Sequence, residues 1–346
     1  MNATSDTSDS FPAHVPLLAS TRGIAGREAV ECVHFGSIAI VDPDGELLAA
    51  VGDAGGMNFS RSTLKPLQAL AFVEDGGLAR FGFGSQELAL MCSSHSGESV
   101  HVQIVQSMLE RIGAQVGDLQ CGCHLPRYFA ATATTPPANL RISALHHNCS
   151  GKHTGFLAYC RLHGHRLDNY LDPDAPVQVR VRNIAQAFCP ERTVVAGIDG
   201  CSAPNFALPL MRLAQAYCRI ACDAAPGLRA LYFAMTRHPD LVSGTARMDL
   251  ALMRTGAGNW VSKIGADGLQ MIGIRSQGLG IAIRIAGGDA SALHVTTVDV
   301  LHQIGLLDEP LRTPLAAYFR PPLRNTRELP IGRFQPLFRL PRLAKG

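Results

Sequence analysis

Trp260-Val261-Ser262-Lys263-Ile264, Leu269-Gln270-Met271-Ile272-Gly273-Ile274 and Leu279-Gly280-Ile281-Ala282-Ile283-Arg284-Ile285 are three short apolar runs. Gly-Ala-Asp-Gly separates the first two and Ser276-Gln277-Gly278 the second two. Their length and their turn residues predict an antiparallel meander. Far upstream, Cys32 to Val41 and Leu47 to Val51 flank Asp42-Pro43-Asp44-Gly45, whose Pro presets φ and whose Gly supplies the permissive end, so a β-hairpin is expected there. The middle changes period. Val100 to Ile112, Gly155 to His163, Ala175 to Phe188, Pro204 to Ile220 and Gly227 to Arg237 repeat apolar residues near the helical spacing. A helix around Ser291 to Leu307 and a strand near Ile331 to Phe338 follow the meander.

Strands toward both ends with helices between them predict an α+β fold: an antiparallel sheet built from N- and C-terminal strands, helices packed on it, and a largely helical inserted subdomain. The expected divisions are a polar leader over 1–25, a sheet subdomain over 26–60 plus 255–340, a mainly helical subdomain over 61–254, and a basic tail over 341–346. A chain of 346 residues is long enough for roughly two domains.

Composition excludes several classes. Hydrophobic residues make up 47% and charged residues 17%, which excludes disorder over most of the length. No apolar run approaches a membrane span, and Asp6 and Asp9 stand where a secretory signal would be basic and then apolar. A cytoplasmic protein with reduced thiols is therefore expected, its ten cysteines being too sparse for a disulfide scaffold. The net charge of +3 is concentrated after Arg320, leaving the body slightly acidic, so neither a nucleic acid nor a membrane is expected as partner.

Lysine is scarce. Only Lys65, Lys152, Lys263 and Lys345 occur among 31 basic residues. Arg stays protonated, whereas a buried Lys can lose its proton and serve as a base or a ligand. Three of the four lie in distinctive segments. Ser62-Thr63-Leu64-Lys65 places a hydroxyl and an amine one helical turn apart, suited to nucleophile and base, with Pro66 distorting the first turn. Otherwise Ser62 is an ordinary N-cap. Met91-Cys92-Ser93-Ser94-His95-Ser96-Gly97-Glu98 clusters hydroxyls, an imidazole and a carboxylate; it relays protons, grips a polar substrate, or simply caps the following helix. Asn148-Cys149-Ser150-Gly151-Lys152-His153 and Gly197-Ile198-Asp199-Gly200-Cys201-Ser202-Ala203-Pro204-Asn205 combine thiols, a histidine and an acid, as a zinc site, a catalytic thiol site, or packed thiols would. Lys263-Ile264-Gly265 offers a cation and a glycine on a strand, as in serine acylases that pair S-x-x-K with K-T-G.

Together Ser60 to Leu67, Cys92 to Glu98, Asn148 to Gly155, Gly197 to Asn205 and Lys263 to Gly268 resemble the rhizobial-type, or class 3, L-asparaginases. The resemblance spans about residues 30 to 335. It implies a fold like serine β-lactamases and penicillin-binding proteins, and hydrolysis of L-asparagine to L-aspartate and ammonia. It implies Ser62 as nucleophile with Lys65 as its base, and Ser94 with Lys263 as a second pair assisting proton transfer. It also implies a zinc ion (Zn2+) on Cys149, Lys152 and Cys201, with Arg61, His153 and Asp199 at the substrate, and a homodimer. Another serine hydrolase on the same scaffold (esterase, β-lactamase or peptidase-like) would keep Ser62 and Lys65 without needing the cysteines. A non-catalytic zinc or amino-acid-binding protein would keep the cysteines, and a cysteine hydrolase would use Cys149.

Overall fold

The structure, a computed structural model, describes residues 12–24, 27–222 and 225–343. Its strands are β1 (Val15–Ile24), β2 (Arg27–Val41), β3 (Leu47–Val51), β4 (Met57–Phe59), β5 (Val195–Ile198), β6 (Pro204–Pro209), β7 (Trp260–Gly265), β8 (Leu269–Ile274), β9 (Leu279–Ile285), β10 (Leu323–Arg324) and β11 (Pro330–Pro336). Seven of them follow the order β10-β11-β1-β2-β9-β8-β7, and β3 adds to β2 as the eighth strand. Every pairing is antiparallel. The fold is α+β, with one sheet drawn from the two ends of the chain.

The hairpin forms as its turn chemistry requires. Gly45 has φ +86°, its N–H donates to the Asp42 carbonyl at 3.1 Å, and Glu46 N–H donates to Asp42 Oδ1 at 2.9 Å. The meander matches its expected strands closely.

Alternation along the central strands divides the interior in two. Ile38 and Ile40, Ile272 and Ile274, and Ile281 and Ile283 enter one core, while Ala39, Val41, Leu269, Met271 and Ala282 enter the other. The helices that matter for the site are α1 (Lys65–Glu74), α2 (Ser85–Met91), α3 (Ser150–His163), α4 (Leu210–Cys222), α5 (Met248–Thr255) and α6 (Ala290–Gln303). Residues of α5 and α6 cover the isoleucine face, and α4 lies on the small-residue face. That second approach is close: a Cβ on Gly273 would sit 2.1 Å from the Tyr217 carbonyl oxygen, and one on Gly280 2.0 Å from that of Ala214. Only glycine lets the helix backbone reach the sheet there.

Three expectations are corrected. The leader does not extend to residue 25: Val15–Ile24 is a strand between β11 and β2, with Leu17 and Leu18 fully buried. Its short Leu17-Leu18-Ala19 run is enough to fill a central position, while residues 1–11 lie outside the described ones. Pro204 to Ile220 is not one helix but β6 followed by α4, because Pro204 and Pro209 bracket a fully buried strand paired on both sides. That strand belongs to a second, three-stranded sheet, β4-β6-β5, so residues 57–59 leave the large sheet. Of the expected basic tail, Arg342 pairs with Asp308 at 2.9 Å, and 344–346 lie outside the described residues.

Candidate active site

The small sheet exists beside a strained turn. Arg61 has φ +48°, a left-handed conformation that a non-glycine residue adopts at a cost of about 1–3 kcal/mol. Asn205 holds its peptide on both sides, Oδ1 accepting from Arg61 N at 3.0 Å and Nδ2 donating to Arg61 O at 3.1 Å. Ser60 Oγ donates to Phe206 O at 2.7 Å, and Tyr217 donates its hydroxyl to Thr63 O at 2.7 Å. Residues 61–64 form one 3-10 turn and Lys65 starts α1 with Pro66 in its first turn, which is the distortion expected of that proline. Ser62 therefore sits half-buried on the tip of a clamped turn. Asn205 closes the Gly197 to Asn205 run, yet nothing in the sequence assigned it this role.

Lys65, Lys152 and Lys263 are all buried, at 1%, 3% and 0% exposure. Lys65 Nζ donates to Ser93 O at 2.6 Å, to Ser94 Oγ at 2.9 Å and, more weakly, to Asn148 O at 3.4 Å. The structure thus brings Lys65 to Ser94, and the Ser62 hydroxyl is not among its hydrogen-bond partners. Burial pushes the Lys65 amine below its ordinary range. Lys263 lies on the same face of β7 as Val261, directed at the helical layer. It donates to Ile264 O at 2.7 Å and stands 3.6 Å from Asp249 Oδ2, rather than pairing with Ser94. Burial lowers it to about 7 despite Asp249. Asp249 is anchored by Ser262 Oγ at 2.7 Å, Ile264 N at 2.8 Å and Gln270 Nε2 at 3.0 Å, a buried carboxylate that no motif in the sequence announced.

Beside this pair lie the thiols. Lys152 Nζ is 2.9 Å from Cys201 Sγ. The adjacent Cys201 thiol, with Lys65 and Lys152, holds Cys149 well below the ordinary thiol range against the effect of burial. Cys201 itself is pushed up by the same contact. A Cβ on Gly151 would meet Leu90 O at 2.3 Å, so glycine is what lets the start of α3, and with it Cys149 and Lys152, dock on α2. His153 Nδ1 meets the Tyr170 hydroxyl at 2.8 Å, while its Nε2 is buried with no hydrogen-bond partner. Tyr170 also accepts from Gln120 N at 2.8 Å. Burial lowers His153 to about 4, keeping it neutral. Among the described residues no three His, Cys, Asp or Glu side chains converge as a metal site. The third group beside the two thiols is an amine.

Arg61 and Asp199, both expected at the substrate, bond to each other at 2.8 Å, and Arg61 also pairs with Asp267. Asp199, although burial works against it, is held below the usual carboxylate range by Lys152 and Arg61. A cleft of about 370 Å³ is lined by Ser62, Ser94, Asn148, Arg247, Gly265 and Asp267 among others, and Arg61 lines a second cleft that shares Asp267 with it. Gly265 also packs against Thr63 and Ser60, fixing the distance between β7 and the Ser62 turn. Both serines are thus open to one small molecule.

Comparison with known families bears directly on this geometry. Residues 23–336 match the model of the L-asparaginase II family. The chain belongs to that family. The matched span contains every segment that forms the site. No curated protein matches the sequence. Among solved structures, the native form of Mglu is 14% identical over 79% of this chain and 64% of its own, with a TM-score of 0.44. A β-lactamase from Mycobacterium bovis is 14% identical over 77% of this chain and 93% of its own, with a TM-score of 0.37. The chain thus spans less than two thirds of the Mglu structure. No helix among its described residues is long and apolar enough to cross a membrane.

Proposed function

We propose that this chain hydrolyses L-asparagine to L-aspartate and ammonia through an acyl-enzyme on Ser62. The supporting observation is the 2.9 Å contact between Lys65 Nζ and Ser94 Oγ at the cleft that Ser62 also lines. Two of the Lys65 partners are carbonyls, which only accept. An amine that has lost one proton keeps its N–H groups on those carbonyls and turns its lone pair to the Ser94 hydroxyl. Ser94 then passes the Ser62 proton to Lys65 as Ser62 attacks the side-chain amide carbon. Lys65 returns that proton through Ser94 to the departing ammonia and is neutral again, and Lys263, lowered to about 7, exchanges protons readily near neutrality beside it. Water then enters, Ser94 and Lys65 take its proton and return it to the Ser62 oxygen as the ester to Ser62 breaks.

The same contact favours a second reading in which Ser94 itself attacks. Trapping the acyl-enzyme with a slow amide or ester analogue and locating it by peptide mass spectrometry decides between them: label on Ser62 supports the first reading, and label on Ser94 replaces it. Ammonia release from L-asparagine tests the activity. A purified chain that hydrolyses only esters or β-lactams, or that binds amino acids without turnover, is the rival serine hydrolase or binding protein.

Cys149, Lys152 and Cys201 suit a soft divalent cation such as zinc, since two thiols, one already biased to thiolate, adjoin an amine able to lose its proton. Bound there, zinc would supply a Lewis acid that orients a substrate oxygen. His153 adjoins Cys201 in this cluster, with its Nε2 buried and without a hydrogen-bond partner. Asp199 and Arg61 hold the cluster and the Ser62 turn in fixed relation. A homodimer and a cytoplasmic location complete the reading, and light scattering of the purified chain tests the former.

A further inference from the structure

Two guanidinium groups line the cleft without a carboxylate partner. Arg247 Nη1 donates to the Ser94 carbonyl at 2.6 Å and to the Ser243 carbonyl at 3.5 Å, and no acidic oxygen forms an ion pair with it among the described residues. Arg127 lines the same cleft from its exposed side, also without an ion pair. The acids nearest Arg247 are committed elsewhere. Asp249 is taken by Ser262, Ile264, Gln270 and Lys263, and Glu98 by Thr245. Burial and the charge of Arg127 both work against the Arg247 cation. Arg61 is in the opposite condition, already satisfied by Asp199 and Asp267.

The loop that delivers Arg247 is built at a cost. Ala246 has φ +58°, Gly244 has φ +118°, and a Cβ on Gly244 would sit 2.3 Å from Ser96 Oγ. Glu98 pins the loop, accepting from Thr245 N and from Thr245 Oγ1, both at 2.9 Å. Strained backbone that its surroundings over-determine is characteristic of ligand clamps. The carboxylate ending the Ser93 to Glu98 segment, which the proton relay does not use, thereby acquires a task. A partly buried, unpaired guanidinium with a second cation beside it is a receptor for a planar, bidentate anion.

We propose that Arg247, assisted by Arg127 at the mouth of the cleft, binds the α-carboxylate of the amino-acid substrate while its side-chain amide faces Ser62. Glu98 acts through the loop as a positioning residue. Because Arg247 grips the backbone of the same residue, Ser94, whose hydroxyl meets Lys65, a carboxylate seated on it is registered directly against the proton relay. This assignment rests on the asparaginase reading and names its specificity element. It predicts exclusion of amides that lack a free α-carboxylate, including asparagine within a peptide.

The test compares L-asparagine with its α-amide, in which the α-carboxylate is a neutral carboxamide. Removing a charged hydrogen-bond partner is worth about 10- to 100-fold. Arg247→Gln is expected to lose about that factor in kcat/KM for L-asparagine and almost nothing for the α-amide; equal losses on both substrates overturn the proposal. Arg127→Gln, at an exposed position that tolerates change, is expected to raise KM for L-asparagine alone, and an unchanged KM ratio likewise counts against it. It decides the matter if Arg247→Gln does not fold. Glu98→Gln is expected to raise KM for L-asparagine more than it lowers kcat. Binding supplies a readout independent of turnover. L-Aspartate is expected to raise the Tm of the wild-type chain and isoasparagine, its α-amide, to leave it unmoved, with the difference lost in Arg247→Gln. A wild type that releases no ammonia but shows this difference disproves the asparaginase reading and keeps the carboxylate site; no difference between the two ligands removes the site.

Discussion

Lys65 Nζ lies 2.9 Å from Ser94 Oγ although Ser62 is the hydroxyl one turn away in sequence. The Ser62 hydroxyl is not among the hydrogen-bond partners of the Lys65 amine, which the Ser93-Ser94 loop and the Asn148 carbonyl take up instead. A relay through two serines follows, and it separates the expected mutant effects. Ser62→Ala should abolish detectable ammonia release. Ser94→Ala should reduce kcat by about 10²- to 10⁴-fold, the usual worth of a proton-transfer group. Equal residual rates in the two variants, measured by single-turnover kinetics, would contradict the relay.

Lys263 carries the pH dependence whose sign is fixed by burial. Its folded value of about 7 lies below the 10.5 of an exposed lysine. Between those values the unfolded chain binds the extra proton, so stability is highest above 10.5 and is lost as the pH falls toward 7. Lys263→Met should flatten this slope, leaving the variant relatively more stable at pH 6 than at pH 10 by denaturant titration. Asp249 keeps its three hydrogen bonds in the variant. A wild-type slope that persists unchanged assigns the dependence to another group.

Asn205→Ala removes both clamps from the Arg61 peptide while leaving Ser62 and Lys65 in place. Loss of two hydrogen bonds at a strained turn should cost about 1–3 kcal/mol of stability. Catalysis should fall further than stability, with kcat down about 10²-fold, because misplacing a nucleophile is costly. Thermal unfolding and steady-state kinetics on the same preparation separate the two effects.

The thiol cluster yields a metal prediction. Cys201→Ser should weaken zinc binding at least about tenfold and lower the zinc-dependent rise in Tm by a corresponding amount. Cys92→Ser should leave binding intact, since burial pushes the Cys92 thiol up and keeps it inert. Titration with zinc followed by scanning calorimetry reads both. Equal behaviour of the two variants would dissociate the metal from Cys201.

Gly151→Ala places a methyl 2.3 Å from the Leu90 carbonyl, backbone that cannot rotate away. The variant should lose about 1–3 kcal/mol and, by shifting α3, much of its zinc affinity. A variant with wild-type Tm would show that α2 and α3 are less closely docked than the structure gives.

The parts of this site that were legible in the sequence are those whose residue type is unusual. Lys65, Lys152 and Lys263 stood out because a chain so rich in arginine had spared them, and all three converge. The meander and the hairpin were legible because period two and turn residues act locally. Asn205, Asp249 and Arg247 were not, because an asparagine that clamps a distant peptide, a carboxylate that anchors a strand and an arginine held by carbonyls without an ion pair among the described residues are defined only by neighbours far along the chain. The same holds for β6, where fully buried surroundings override a helical spacing of apolar residues. The S-x-x-K was legible as a hydroxyl and an amine at a distorted first turn; the hydrogen bond that the Lys65 amine makes to Ser94, 29 residues further on, was not, because it is set by tertiary packing.

Pairing of Ser37 with Arg284 and of Ala19 with Gln335 has a consequence for how the molecule is made. The first strands pair with each other early, but the outer edge of β1 and the inner edge of β2 have no partners until segments near the other end of the chain leave the ribosome. Native contacts of this separation close slowly. Synthesis must therefore be nearly finished before the first strands are satisfied, and the nascent chain carries unpaired edges for most of its translation, a period in which a chaperone has more to protect than it would in a protein wound from end to end.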